Sequence, residues 1–191
     1  MTAVKDRPLL HFATAAEWQA WLAANLDHEG IRLQLRKKNS TKPGMLYAEA
    51  LDVALCHGWI DGQAGSIDDD YFYNGFSPRR KNSPWSQVNR EHIERLTAEG
   101  RMTDRGLAEV ERAKADGRWD AAYRVSGAPV PDELQRALDA NPTAAAAFAA
   151  LSSQNRFAMI FRLSNLKRAE SKAARVGKFI EMLEKGETIY P

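Results

Sequence analysis

The chain is poor in the residues that build metal and disulfide chemistry. Cys56 is its single cysteine, which excludes an internal disulfide and any cysteine-based zinc cluster and fits a reducing compartment. Its four histidines, at positions 11, 28, 57 and 92, show no H-x-x-x-H spacing, and Asp68-Asp69-Asp70 lacks the spacing of a calcium loop. No cofactor and no metal are expected. Neither G-x-S-x-G nor G-x-G-x-x-G occurs. Long hydrophobic runs are missing too: none approaches the roughly 18 residues of a membrane span, and the start M-T-A-V-K-D-R-P-L-L-H-F has no apolar stretch of leader length. The expected location is therefore the cytoplasm. Charge of one sign is also scarce, since the net charge is only +2; global electrostatics select no partner, and only local patches can.

What remains is ordinary for a folded protein: 191 residues, 44% hydrophobic and 27% charged, enough to bury a core as one large domain or two small ones. Residues 9–13 suit a short strand. Thr14-x-x-Glu17 is a capping box, and Trp18, Trp21 and Leu22 follow at the spacing of a buried helical stripe. Ile31, Leu33 and Leu35 alternate with Arg32, Gln34 and Arg36, the pattern of a half-buried strand. Tyr47 to His57 reads as a helix, with His57 in its last turn where the helix dipole favours the protonated ring. Two aromatic runs, at 57–63 and 71–76, can pair as a hairpin across the Asp68–Asp70 turn. Ser83-Pro84 resembles an N-cap followed by proline at the first helical position, opening a helix to about Glu99. Beyond residue 101 the signals are helical. The expected fold is α+β: a small, mostly antiparallel N-terminal sheet with packed helices over residues 1–100, a connecting helix and aromatic anchor over 101–125, and an all-helical C-terminal subdomain over 126–191. Ser126–Pro131 is the best linker.

The stretch from Cys56 to Arg95 concentrates polar and aromatic residues beyond what packing requires. In an extended run Trp59, Asp61 and Gln63 share one face, an aromatic platform beside a carboxylate and an amide, with Gly62 and Ala64 on a small opposite face that a neighbour can approach. Arg79, Arg80 and Lys81 precede a helix N-terminus, whose free N–H groups also favour an anion. Ser86, Asn89 and Arg90 fall at i, i+3 and i+4 on that helix. Arg79, Arg80, Ser86, Asn89 and Arg90 are thus candidates to hold an anionic, phosphate- or carboxylate-bearing ligand, with Trp59, Asp61, Gln63 and Trp85 shaping the rest of its site.

W-I-D-G-Q, F-S-P-R-R and S-P-W-S-Q-V-N-R, together with Y-A-E-A-L upstream and L-S-S-Q-N-R near the C-terminus, resemble the bacterial YdeI/OmpD-associated, or bacteriocin-protection, family. The resemblance implies a fold and a link to antimicrobial or stress tolerance, and no defined activity. Asn155 and Arg156 lie in the last of these blocks and are candidates to complete the anion site.

Two further readings come from the residues. His57 and Asp61, four positions apart, are the available acid/base pair for an enzyme acting on the same ligand. Arg168, Lys172 and Arg175 share a face of the last helix, where a basic surface can meet the phosphates of nucleic acid. That face has no interleaved aromatics to stack on bases, so nucleic acid is the weaker partner. Oligomeric state has no signature in the sequence.

Overall fold

The structure, a computed structural model, describes residues 6–123 and 129–190. The chain divides into two compact units, Met1–Ala122 and Tyr123–Pro191.

In the first unit the elements run β1 (Leu9–Leu10), α1 (Ala15–Ala24), β2 (Ile31–Arg36), α2 (Tyr47–Cys56), β3 (Trp59–Ser66), β4 (Tyr71–Pro78), α3 (Gln87–Ala98) and α4 (Asp104–Ala115). The sheet has the order β1-β2-β4-β3. The β1–β2 pair is parallel, and the β2–β4 and β3–β4 pairs are antiparallel. This is the α+β architecture that alternating short strands and amphipathic helices predict. Period-two patterning decides which face of β2 is covered: Ile31, Leu33 and Leu35 are fully buried, while Arg32, Gln34 and Arg36 stay half-buried.

The covered face meets α1 and α2. Thr14 Oγ1 accepts the Glu17 N–H and Glu17 Oε2 accepts the Ala13 N–H, so the capping-box residues fix the start of α1. Trp18 then enters the core. Its ring packs edge-on to Trp59 and tilted against Phe76, with centroids 6.0 and 5.9 Å away, and its indole N–H donates to Ala50 O in α2. Each such aromatic pair adds about 0.5–1.5 kcal/mol beyond the area it buries. Residues expected to connect two domains belong to this same core: Val110 and Ala113 of α4, and Trp119 beyond it, pack with the helices of the first unit.

The start of α3 differs from the sequence expectation. Ser83 and Pro84 do not open the helix; its N-cap is Ser86, whose Oγ accepts the Asn89 N–H. Ser83 closes a tight turn instead, its hydroxyl accepting from Arg80 N. The intervening Trp85 is buried beside Trp119, and burying that ring moves the helix start three residues downstream. The hairpin differs as well. Asp61 pairs with Phe76 but Ala64 pairs with Asn74, a bulge on β3. The extra residue breaks the alternation, removes Gln63 from the row of Trp59 and Asp61, and leaves Gly62 and Ala64 exposed rather than packed.

The second unit is helical among its described residues: α5 (Asp132–Asp139), α6 (Pro142–Ala150), α7 (Ser153–Ser164) and α8 (Ala169–Glu184). Asn141 caps α6 and Ser152 caps α7. Leu134, Leu138, Phe148, Met159, Leu163, Phe179 and Leu183 form its core. The expected linker at Ser126–Pro131 falls partly on residues 124–128, outside the described residues.

Candidate functional site

The residues singled out in the sequence separate into four settings. Trp59 is fully buried and spends its ring on Trp18 and Trp21, so it is a core residue and presents no platform to a ligand. Asp61 accepts the hydrogen bond of the Tyr47 hydroxyl at 2.9 Å; burial first, and that carboxylate second, raise the Tyr47 phenol far above its ordinary range. Gln63 is exposed on the bulged edge strand.

The arginine-rich loop is the second setting, and much of its charge holds the loop together. Arg79 is buried and stacks on Trp85, and its Nη1 donates to Pro84 O. Trp85 in turn packs on Trp119. Arg90 lies over the Trp119 ring and donates to Trp119 O; Arg118 donates to Ser83 O. Ser86 is committed to its cap, and Asn89 supplies the backbone N–H of that cap.

On its outer side this loop opens into a hollow of about 240 Å³, lined by Arg79, Arg80, Ser77, His28 and Arg7, with Asp27 and Glu29 on the same wall. Arg80 is exposed. Arg7 is not: only 8% of it is accessible, and its Nε is buried with no hydrogen-bond partner among the described residues. A buried, unpaired guanidinium N–H costs free energy until something accepts from it. Gly30 sets how closely the chain passes Arg7, since a Cβ there would stand 2.5 Å from Arg7 Nη1 and 2.7 Å from Phe76 O. Arg7 had no signal in the sequence, because the fold alone brings the N-terminal segment against the end of β4. Trp59, Asp61, Gln63, Asn89 and Arg90 do not line this hollow.

Cys56 and His57, at the end of α2, form the third setting. Both are buried. Burial pushes the Cys56 thiol up. Burial first, and Arg105 second, hold the His57 ring below the ordinary histidine value. The helix dipole was expected to favour the charged ring; desolvation and a neighbouring cation outweigh it. His57 Nε2 has no partner among the described residues, so His57 and Asp61 are not joined as an acid/base pair.

The fourth setting is in the second unit. Asn155 closes the C-terminal segment, donating to Tyr190 O and accepting from Tyr190 N. Arg156 donates to Ala149 O and Leu151 O and lies over Phe148. Both therefore have structural duties within α6, α7 and the tail. On α8, Lys172 is paired with Glu133, Arg168 is the N-cap residue and Arg175 lies over the Phe179 ring. Among the described residues no helix is long and apolar enough to cross a membrane, and no three metal-binding side chains cluster.

The chain thus joins an α+β unit carrying an arginine-lined hollow to a helical unit. Residues 10–109, about half of the chain, match the family model described as a domain of unknown function, DUF8412, and the protein belongs to that family. Residues 127–186 match a second model, described as bacteriocin-protection, YdeI or OmpD-associated. The W-I-D-G-Q, F-S-P-R-R and S-P-W-S-Q-V-N-R blocks lie in the first match, and Asn155 and Arg156 in the second. No curated protein and no solved structure matches the chain.

Proposed function

We propose that the protein binds a small anionic ligand, bearing a phosphate or carboxylate, in the hollow between Arg7, Arg79 and Arg80. The observation that supports this reading is that three arginines, Arg7, Arg79 and Arg80, line one cavity, with Arg80 exposed. Guanidinium forks suit planar or tetrahedral oxyanions, and hydrogen bonds to a charged acceptor are roughly twice as strong as neutral ones. Ser77 and His28 add hydrogen-bonding capacity to the same wall. Asp27 and Glu29 counter part of the positive field and favour a compact anion that reaches the arginines directly. We place this binding role in the cytoplasm, and the description of the second matched model supports a connection to bacteriocin tolerance.

Calorimetric titration with inorganic phosphate tests the binding. Saturable binding by the full chain, weakened tenfold or more in Arg80→Ala, roughly the worth of one charge-assisted contact, is the expected result. Phosphate binding that is absent, or equally strong in Arg80→Ala and Arg7→Met, overturns the proposal.

A further inference from the structure

Alternation along β2 places Arg32, Gln34 and Arg36 on the sheet face opposite the buried Ile31, Leu33 and Leu35. Strand register adds Tyr73 and Tyr71 of β4, which pair with Gln34 and Arg36 and so share that face. None of these five side chains is buried, none belongs to either hydrophobic core, and none lines the arginine hollow. We propose that this face binds single-stranded nucleic acid, with bases stacked on the Tyr73 and Tyr71 rings and phosphates held by Arg32 and by the lysines of the 37–44 loop.

The rings are set out as platforms. Tyr73 faces Gly65 of β3 across the hairpin, and a Cβ at Gly65 would collide with the outer end of the Tyr73 ring. The missing side chain thus gives the ring room to lie across the sheet. Arg32 stands beside the same ring, its guanidinium carbon 5.4 Å from the centroid, so one position offers a π-face and a cation together. Tyr71 is two residues along the strand, about 6.8 Å away, and its hydroxyl donates to Pro43 O, which fixes its direction. Stacking of this kind accepts any base, because every base has a π-face. A duplex keeps those faces covered, so the partner is an unpaired strand.

The charge on this side is not cancelled by ion pairing. Among the described residues Arg32, Arg36, Lys37, Lys38 and Lys42 take part in no salt bridge, unlike Arg95, Arg101, Arg112 and Arg118. Their hydrogen bonds go to carbonyls: Arg32 Nε to Arg7 O, Arg36 to Ser40 O and Gly44 O, and Lys37 Nζ to Asp68 O. Such bonds position the cations without neutralising them. Asp68, Asp69 and Asp70 in the hairpin turn offset part of the field, but five cations against three carboxylates leave an excess of positive charge. Arg36 and Tyr71 both bind the backbone of the 37–44 loop, which holds the exposed Lys38 and Lys42 at the margin of the tyrosine face. The basic side of α8 lacks aromatics to stack on bases; the sheet combines both kinds of group.

The test is fluorescence anisotropy of end-labelled oligo(dT) and oligo(rU), about 12 nucleotides long, titrated with the full chain. Saturable binding of at least one is expected, the tighter of the two naming the sugar. Affinity falls at least tenfold in Tyr73→Leu, the size of one lost stacking contact, and is restored in Tyr73→Phe. Lys38→Ala combined with Lys42→Ala changes only exposed loop positions. It is expected to flatten the dependence of log affinity on log salt by about 1.4, two phosphate contacts at about 0.7 each, and it decides the matter if Tyr73→Leu disturbs the packing on Gly65. Absence of saturable binding, a duplex bound as tightly as the single strand, or affinity and salt dependence unchanged in these variants overturns the inference. So does binding that is lost in Arg168→Ala with Arg175→Ala but kept in Tyr73→Leu, which places the contact on α8.

Discussion

The guanidinium of Arg79 lies 3.5 Å above the Trp85 ring, and both side chains are buried. A cation held face-on to an indole away from water contributes about 2 kcal/mol. Arg79→Met keeps most of the volume and loses the charge. It is expected to lower the unfolding free energy by about 2 kcal/mol, measured by urea denaturation with the slope unchanged. A variant as stable as wild type would show that Trp85 is held by Trp119 alone.

Gly30 carries a φ of +124° beside Arg7. Alanine there meets both backbone strain and the Arg7 guanidinium. Gly30→Ala is expected to cost about 1–3 kcal/mol and to weaken phosphate binding along with stability. The same titration and denaturation series measures both, and a variant with full stability and full affinity contradicts the close approach.

Gly106 sits inside α4, where alanine ordinarily gains about 1 kcal/mol over glycine. Here an added Cβ would run into the Cys56 carbonyl, which already accepts from the Thr103 backbone and hydroxyl. Gly106→Ala is therefore expected to destabilise, by about 1–3 kcal/mol of overpacking. Thermal melts of the two proteins give the sign directly.

His57 is held below its ordinary pKa of 6.5 by burial and by Arg105. The unfolded chain then binds this proton more readily than the folded one. The contribution of the neutral ring is complete above that ordinary value and is lost as pH falls toward the folded value. Between neutral pH and about pH 5, wild type is expected to lose more stability than His57→Gln. Parallel curves for the two proteins would mean that the ring titrates alike in both states.

Much of this was legible in the residues because the forces involved are local. Thr14 reads as a helix start, and its hydroxyl accepts the N–H of Glu17, three positions on. The alternation in β2 named its buried face. Ser83-Pro84 misled because the helix start is set by a tertiary contact, Trp85 on Trp119, and the two residues are 34 positions apart. Asp68 to Asp70 read as a turn, and the Asp68 carboxylate closes it through the N–H groups of Asp70 and Tyr71. The arginine hollow was half visible: Arg79 and Arg80 stand together in the chain, whereas Arg7 joins them only once β1 has paired with β2.

The bulge between Asp61 and Ala64 has a further effect, because β3 is an outer strand of its sheet. An outer strand with a regular run of free amide and carbonyl groups invites a second polypeptide to zip onto it. One surplus residue puts that run out of step and twists it away. The exposed margin of the hairpin is thereby a poor template for intermolecular pairing, and this protects the molecule from sheet-mediated aggregation while its polar side chains remain in solvent.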